Sequence, residues 1–195
     1  MRVIFIMIWL SFSSVFAQEK HALDLNRSTA FWKGRIFGGM HGNEGTIKFS
    51  AGEIALNSKG EPYAASFVID MESIKNTNLK EPNQQLNIEM DLKSDKFFDS
   101  KRYPKGYFKS TQIRKNGAGE YSVQGDLTVK GISKPIVIKV KLTNTIDGLN
   151  ASSDFTFYRS HWGVNLSTPN VLYTNIGEGL IAEEVPMSFQ MVFAK

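Results

Sequence analysis

The chain has 195 residues, no cysteine, 42% hydrophobic residues and a formal net charge of +4. That length suits one domain able to bury an adequate core without disulfide staples, and a chain without cysteine gains nothing from an oxidising compartment. Lysine and arginine are spread along the chain rather than clustered, which argues against a dedicated nucleic-acid surface.

The first segment, MRVIFIMIWLSFSSVFA, carries a charge at Arg2 and an apolar run from Val3 to Leu10. Small residues follow, and Val15-Phe16-Ala17 fits a cleavage site, so residues 1–17 are expected to be a secretory signal peptide removed after Ala17. The apolar run is shorter than the roughly 20 residues that span a bilayer. Residues 18–195 then form the mature domain, with no transmembrane segment, working outside the cytoplasm.

Period-2 alternation is the recurring signal beyond that point. Strands are expected at Ser28–Phe37 and Gly45–Leu56, and at Tyr63, Ala65, Phe67 and Ile69, which alternate with Ala64, Ser66 and Asp70. The segment Gln85–Asp99 is ambiguous. Leu86, Ile88, Met90 and Leu92 alternate as in a strand, while its Gln, Leu, Glu, Met and Lys content favours helix. On a helix, Leu86, Met90 and Phe97 would share a face, with Ile88 and Leu92 pointing away.

Strands follow at Gly106–Lys115, Tyr121–Val129, Ile136–Leu142, Ala151–Tyr158 and Val185–Phe193, with Asn116-Gly117 and Asp147-Gly148 as turn pairs. Within GDLTVKGISKPIVIKV, Val129 is expected to oppose Ile136, and Leu127 to oppose Ile138, across a Lys130–Pro135 connection. Pro135, lacking an N–H, belongs near the strand start. A one-residue slip would turn Lys139 onto the apolar face. Asn165–Gly179 reads as a long loop. The pattern is all-β, with half-buried antiparallel strands in series, which suggests a barrel or a sandwich.

Several stretches together resemble the YceI-like family of periplasmic polyisoprenoid-binding proteins. They are Gly125–Ile136, Phe67–Ile74 with its Asp70-Met71-Glu72-Ser73-Ile74 turn, and Leu92–Asp99 followed by Tyr103-Pro104, Phe108 and Ser110. Trp32-Lys33-Gly34, His41-Gly42 and Gly45-Thr46-Ile47 fit that family's first strands. The resemblance covers nearly the whole mature chain, in order. It implies an antiparallel, lipocalin-like β-barrel with a short helix near one end, Gln85–Asp95 being that helix. It also implies a non-enzymatic carrier whose apolar interior holds an isoprenoid or polyprenyl lipid or a quinone, in the periplasm.

The inward-facing candidates for ligand contact are Trp32, Ile47, Phe49, Phe67, Ile69, Leu127, Val129, Ile138, Val140, Phe155, Phe157, Phe189 and Met191. Plain core is the alternative reading of each, and alternation does not separate a filled core from a cavity. No cofactor, metal or catalytic residue is expected. His21, His41 and His161 lack ligand spacing, Ser160-His161 sits in no nucleophile elbow, and Gly38–Gly42 and Gly177-Glu178-Gly179 are turn glycines rather than a phosphate loop. Arg159 and His161 border the long loop, as head-group contacts or as solvated residues. Two other functions stay open: an enzyme acting on such lipids, and a binding module using Trp32, Trp162 and nearby tyrosines as stacking platforms. The pattern leaves the oligomeric state open.

Overall fold

A computed structural model describes residues 19–35, 41–164 and 182–194. The expected signal peptide and the expected loop at Asn165–Gly179 lie outside the described residues. The strands are β1 (Glu19–Ala22), β2 (Thr29–Arg35), β3 (His41–Leu56), β4 (Pro62–Asn76), β5 (Lys105–Gly117), β6 (Glu120–Val129), β7 (Ile132–Thr145), β8 (Gly148–Tyr158) and β9 (Glu184–Phe193). Helix α1 spans Pro82–Lys93, between β4 and β5.

Every neighbouring pair is antiparallel, and β3 pairs with β2 on one edge and β4 on the other, so the sheet closes on itself. β1 and β2 lie end to end along the same edge of β3, which makes the closed wall eight strands around. The short β1 was not foreseen from the sequence. It is pinned at the seam: Leu23 bridges to Phe193, the Ala194 N–H donates to Ala22 O, and His21 Nδ1 lies 2.8 Å from Ala194 O. Closure removes most of the exposed strand edges that an open sheet would offer to other chains, although among the described residues Ile132–Val140 of β7 stay unpaired on the β8 side.

The β6–β7 hairpin keeps its faces but not its expected register. Val129 pairs with Ile132, Leu127 with Lys134, and Val123 with Ile138. The turn is only Lys130-Gly131, both left-handed at φ 51° and 74°, the two-residue type I′ form whose twist matches its strands. The shift from the expected pairing is an even number of residues, so the apolar residues still point inward. Pro135 is not at the strand start but opposite Asp126. Counting outward from the closing pair, that is a non-hydrogen-bonded position. Its nitrogen therefore faces away from β6, where β7 has no strand partner among the described residues until Lys141. The other tight turns also shift: Ala118 and Gly119 lie between Gly117 and Glu120, and Ile146 and Asp147 between Thr145 and Gly148.

A Cβ at Gly131 would stand 2.9 Å from Tyr103 Cε1, on a backbone already left-handed. Gly131→Ala is expected to lower stability by about 1–2 kcal/mol, measured as a shift of the urea midpoint without a change in slope.

The helix expectation holds for Gln85–Lys93, and Pro82 starts the helix where a missing N–H is harmless. Its buried face is the reverse of the expected one. Ile88 and Leu92 turn inward with Glu89, while Leu86 and Met90 are 52% and 60% exposed. Ser94 ends the helix, its hydroxyl donating to Asp91 O at 2.7 Å. The fully buried Ser100 ties the following turn back to Lys93 O through both N–H and hydroxyl.

Candidate ligand-binding cavity

The strand alternation sends one apolar row per strand into the lumen, and the lumen has two halves. At the end carrying the Leu56–Pro62 and Gly117–Glu120 turns it is filled. Ile54, Tyr121, Val123, Val140, Ala151, Met191 and Phe193 are all buried there, leaving a void of about 40 Å³. At the end carrying α1 it opens into a cavity of about 480 Å³.

Eleven of the thirteen expected contact residues line that cavity. Trp32, Ile47 and Phe49 come from β2 and β3, Phe67 and Ile69 from β4, and Leu127, Val129 and Ile138 from the β6–β7 hairpin. Phe155, Phe157 and Phe189 complete the group from β8 and β9. Val140 and Met191 share the inward face but sit lower, around the small void, and do not reach the cavity. Alternation gives the face of a residue and not its depth.

Trp32, Phe67, Ile69, Ile136, Phe155 and Met187 point inward yet are only half-buried, because the space in front of them is open. Below them the rings close up. Phe67 stacks on Phe108 at 4.8 Å between centroids and 16° between planes, and meets Phe49 edge-on at 5.4 Å. Gly125 makes room for that stack, since a Cβ there would lie 2.5 Å from Phe108 Cζ.

Other wall residues were missed. Met71 and Ile74 are buried and line the cavity although they stand three apart. Four residues, Met71 to Ile74, face Ile47 alone between the Lys48↔Asp70 and Thr46↔Lys75 pairs. Ser73 replaces the lost ladder bond: its hydroxyl accepts from Lys48 N–H at 2.8 Å and donates to Asp70 O at 2.6 Å. The Asp-Met-Glu-Ser-Ile turn is thus a bulge that swings two apolar side chains onto one face. Its apolar spacing of three, inside an alternating strand, was the available signal. Ile88 and Leu92 of α1, with Phe97 and Phe98 after it, wall the mouth.

Among the described residues, charge on the cavity wall is confined to the mouth. The charged groups there are Arg35, Asp91, Lys96 and Arg159. Arg159 donates to Ala182 O and Val164 O, so much of its guanidinium serves the local backbone. Trp162 is 3% exposed; its Nε1 donates to Leu127 O at 2.9 Å and its ring stacks on Phe157. It is packing, not a free stacking platform. Trp32 lies on the cavity wall, its Nε1 donating to Thr46 O.

Helix α1 is held to β4 by one carboxylate. Buried Glu89 accepts from Lys75 Nζ at 2.8 Å and from the Asn76 N–H at 3.1 Å. Burial pushes this carboxyl up, but Lys75 and the Asn76 N–H outweigh it and hold it below the usual range. A depressed folded pKa gives stability that is present above the unfolded value of about 4.3 and is lost as pH falls through the folded one. Glu89→Gln is expected to lower stability near neutrality by about 1–2 kcal/mol. It should also shrink the loss of stability below about pH 4, read from urea curves across pH.

No helix of the described residues is long and apolar enough to cross a membrane, and no cluster of potential metal ligands occurs among them. The fold matches solved structures along most of its length. BcnA of Burkholderia cenocepacia superposes with a TM-score of 0.71 at 21% identity, covering 87% of this chain and 98% of that one. A YCEI protein of Campylobacter jejuni superposes with a TM-score of 0.54 at 17% identity, covering 100% and 94%. Curated relatives are matched over a shorter stretch. A UPF0312 protein of Yersinia pestis is 42% identical over 52 residues, 27% of this chain and 27% of that protein. One from Photorhabdus laumondii is 39% identical over 51 residues, 26% of each. The chain thus spans about a quarter of the length of the curated relatives it matches. The model of the YceI-like domain, by contrast, matches residues 21–193, from the β1 strand to the last residue of β9, and the chain belongs to that family.

Proposed function

We propose that the chain is a non-enzymatic carrier that holds a long apolar chain, an isoprenoid or polyprenyl lipid or a quinone, inside the barrel. The observation that carries this reading is the cavity: about 480 Å³ of lumen, walled by aliphatic and aromatic side chains and, among the described residues, charged only at its mouth. Burying apolar surface contributes about 25 cal/mol per Å². A tail hiding a few hundred Å² would gain roughly 5–10 kcal/mol before ordering costs. An enzyme needs an acid or base placed against the reacting atoms. Among the described residues the acid on the wall is Asp91, exposed at the mouth.

Titration with polyprenols and quinones, followed by the fluorescence of Trp32 and Trp162, tests this. Affinity is expected to rise with chain length until the tail fills the cavity, and to respond weakly to salt. Affinity set by the head group and indifferent to the tail would refute it.

The carrier reading includes export to the periplasm, with cleavage between Ala17 and Gln18 and residues 18–195 as the mature domain. N-terminal sequencing of the exported protein should begin at Gln18. A retained Met1 in a membrane fraction would overturn this.

A further inference from the structure

We propose, resting on the carrier reading, that Phe67 is the floor of the site and sets the length of chain that fits. The void of about 40 Å³ beneath it would then be a tail subsite that this ring seals off. Phe67, Ile138 and Phe189 border both the cavity and the void. Of the three, Ile138 and Phe189 are 4% and 5% exposed, sunk into the wall, whereas Phe67 is half-buried and faces the open space.

Its ring reaches across the lumen. It stacks on Phe108 of β5, meets Phe49 of β3 edge-on, and lies 6.5 Å from Phe189 of β9. Phe108 borders the void and not the cavity, so the Phe67–Phe108 stack is the boundary between them. The void exceeds the roughly 10–15 Å³ that one water needs. Its lining, with Ile113, Val123 and Met191, is largely apolar and suits the end of a hydrocarbon chain rather than water.

A tail entering from the α1 end runs down the cavity until it meets Phe67. A chain that stops there is fully covered, and a longer one must leave carbons at the mouth. Truncating the ring joins the two spaces and lets the tail descend by about its own added length. A larger ring shortens the site. Each isoprene unit that gains or loses apolar cover is worth at least about tenfold in affinity.

The test is a binding series of geraniol, farnesol, geranylgeraniol and longer polyprenols against the full mature protein and three variants. Folding of each is checked first by circular dichroism and thermal melting. Phe67→Ala is expected to move the preferred length up by at least one isoprene unit, and Phe67→Trp to move it down. Phe155→Ala widens the cavity without touching the void, and should change affinity but not preferred length. Phe67→Leu, the milder truncation, stands in if Phe67→Ala does not fold. The proposal is overturned if the wild type shows a preferred length that neither Phe67 variant moves, or that Phe155→Ala moves equally; the carrier reading survives both results. If the folded wild type binds no polyprenol of any length, both fall together.

Discussion

Leu127→Asp is expected to abolish ligand binding, with affinity falling by about a hundredfold or more, while the native strand content is retained. Leu127 is 6% exposed on β6, and its side chain meets the cavity beside Val129. It pairs with Phe108 across β5 and with Lys134 across β7, so its direction is fixed by two ladders. Lys134 does not line the cavity, and the side chains of β6 and β7 that do, Val129, Ile136 and Ile138, offer an aspartate no hydrogen bond. Ionised, it holds water in the lumen that a hydrocarbon tail must displace. Protonated, it still leaves a polar group uncovered when the tail arrives. Either way the penalty is several kcal/mol, most of the gain available to the tail. Phe157→Ala removes contact without adding charge, so it should weaken binding less. Circular dichroism and the fluorescence titration together separate loss of fold from loss of site. An unchanged affinity in folded Leu127→Asp would place the ligand elsewhere.

Trp162→Ala is expected to cost about 3–5 kcal/mol of unfolding free energy. The indole is almost wholly buried at the end of a short turn, Arg159–Trp162, where Gly163 reverses the chain at φ 63°. Its removal deletes the stack on Phe157 and the hydrogen bond to Leu127 O. Lys130 binds the same corner, its Nζ donating to Asp95 O and Gly163 O, so the hairpin turn, the segment after α1 and this turn meet around Trp162. Trp162→Phe keeps a ring and loses the N–H, and should cost about 1–2 kcal/mol. A denaturation midpoint unmoved by Trp162→Ala would show a surface ring available for stacking, and would revive the binding-module alternative.

The strands were legible because each has one wet and one dry face. Leu127 and Val129 alternate with Asp126 and Thr128, as the pleat demands. The same alternation is blind to position along the strand. It placed Val140 and Met191 on the right face but could not tell the filled half of the lumen from the open one. It also left the hairpin free to slide by an even step, and the Lys130-Gly131 turn settles that. Pro135 misled because its missing N–H was assigned to a strand start, when a pair position turned away from β6 serves equally well. The helix face was misread because the centre of its buried side is a carboxylate. Glu89, satisfied by Lys75 and Asn76, takes the inward position that hydropathy would give to Leu86 or Met90. The depth and emptiness of the cavity depend on how rings from β3, β4, β5 and β9 meet across the lumen, and no local pattern encodes that.

The most direct measurement is to purify the protein from its own cells without detergent, extract it with organic solvent and identify the released molecules by mass spectrometry. The barrel should release a long-chain isoprenoid or a closely similar apolar lipid in near-stoichiometric amount, and the stripped protein should take up polyprenols again. Folded protein that is lipid-free in repeated preparations, and that polyprenols of every length fail to load, would contradict the account.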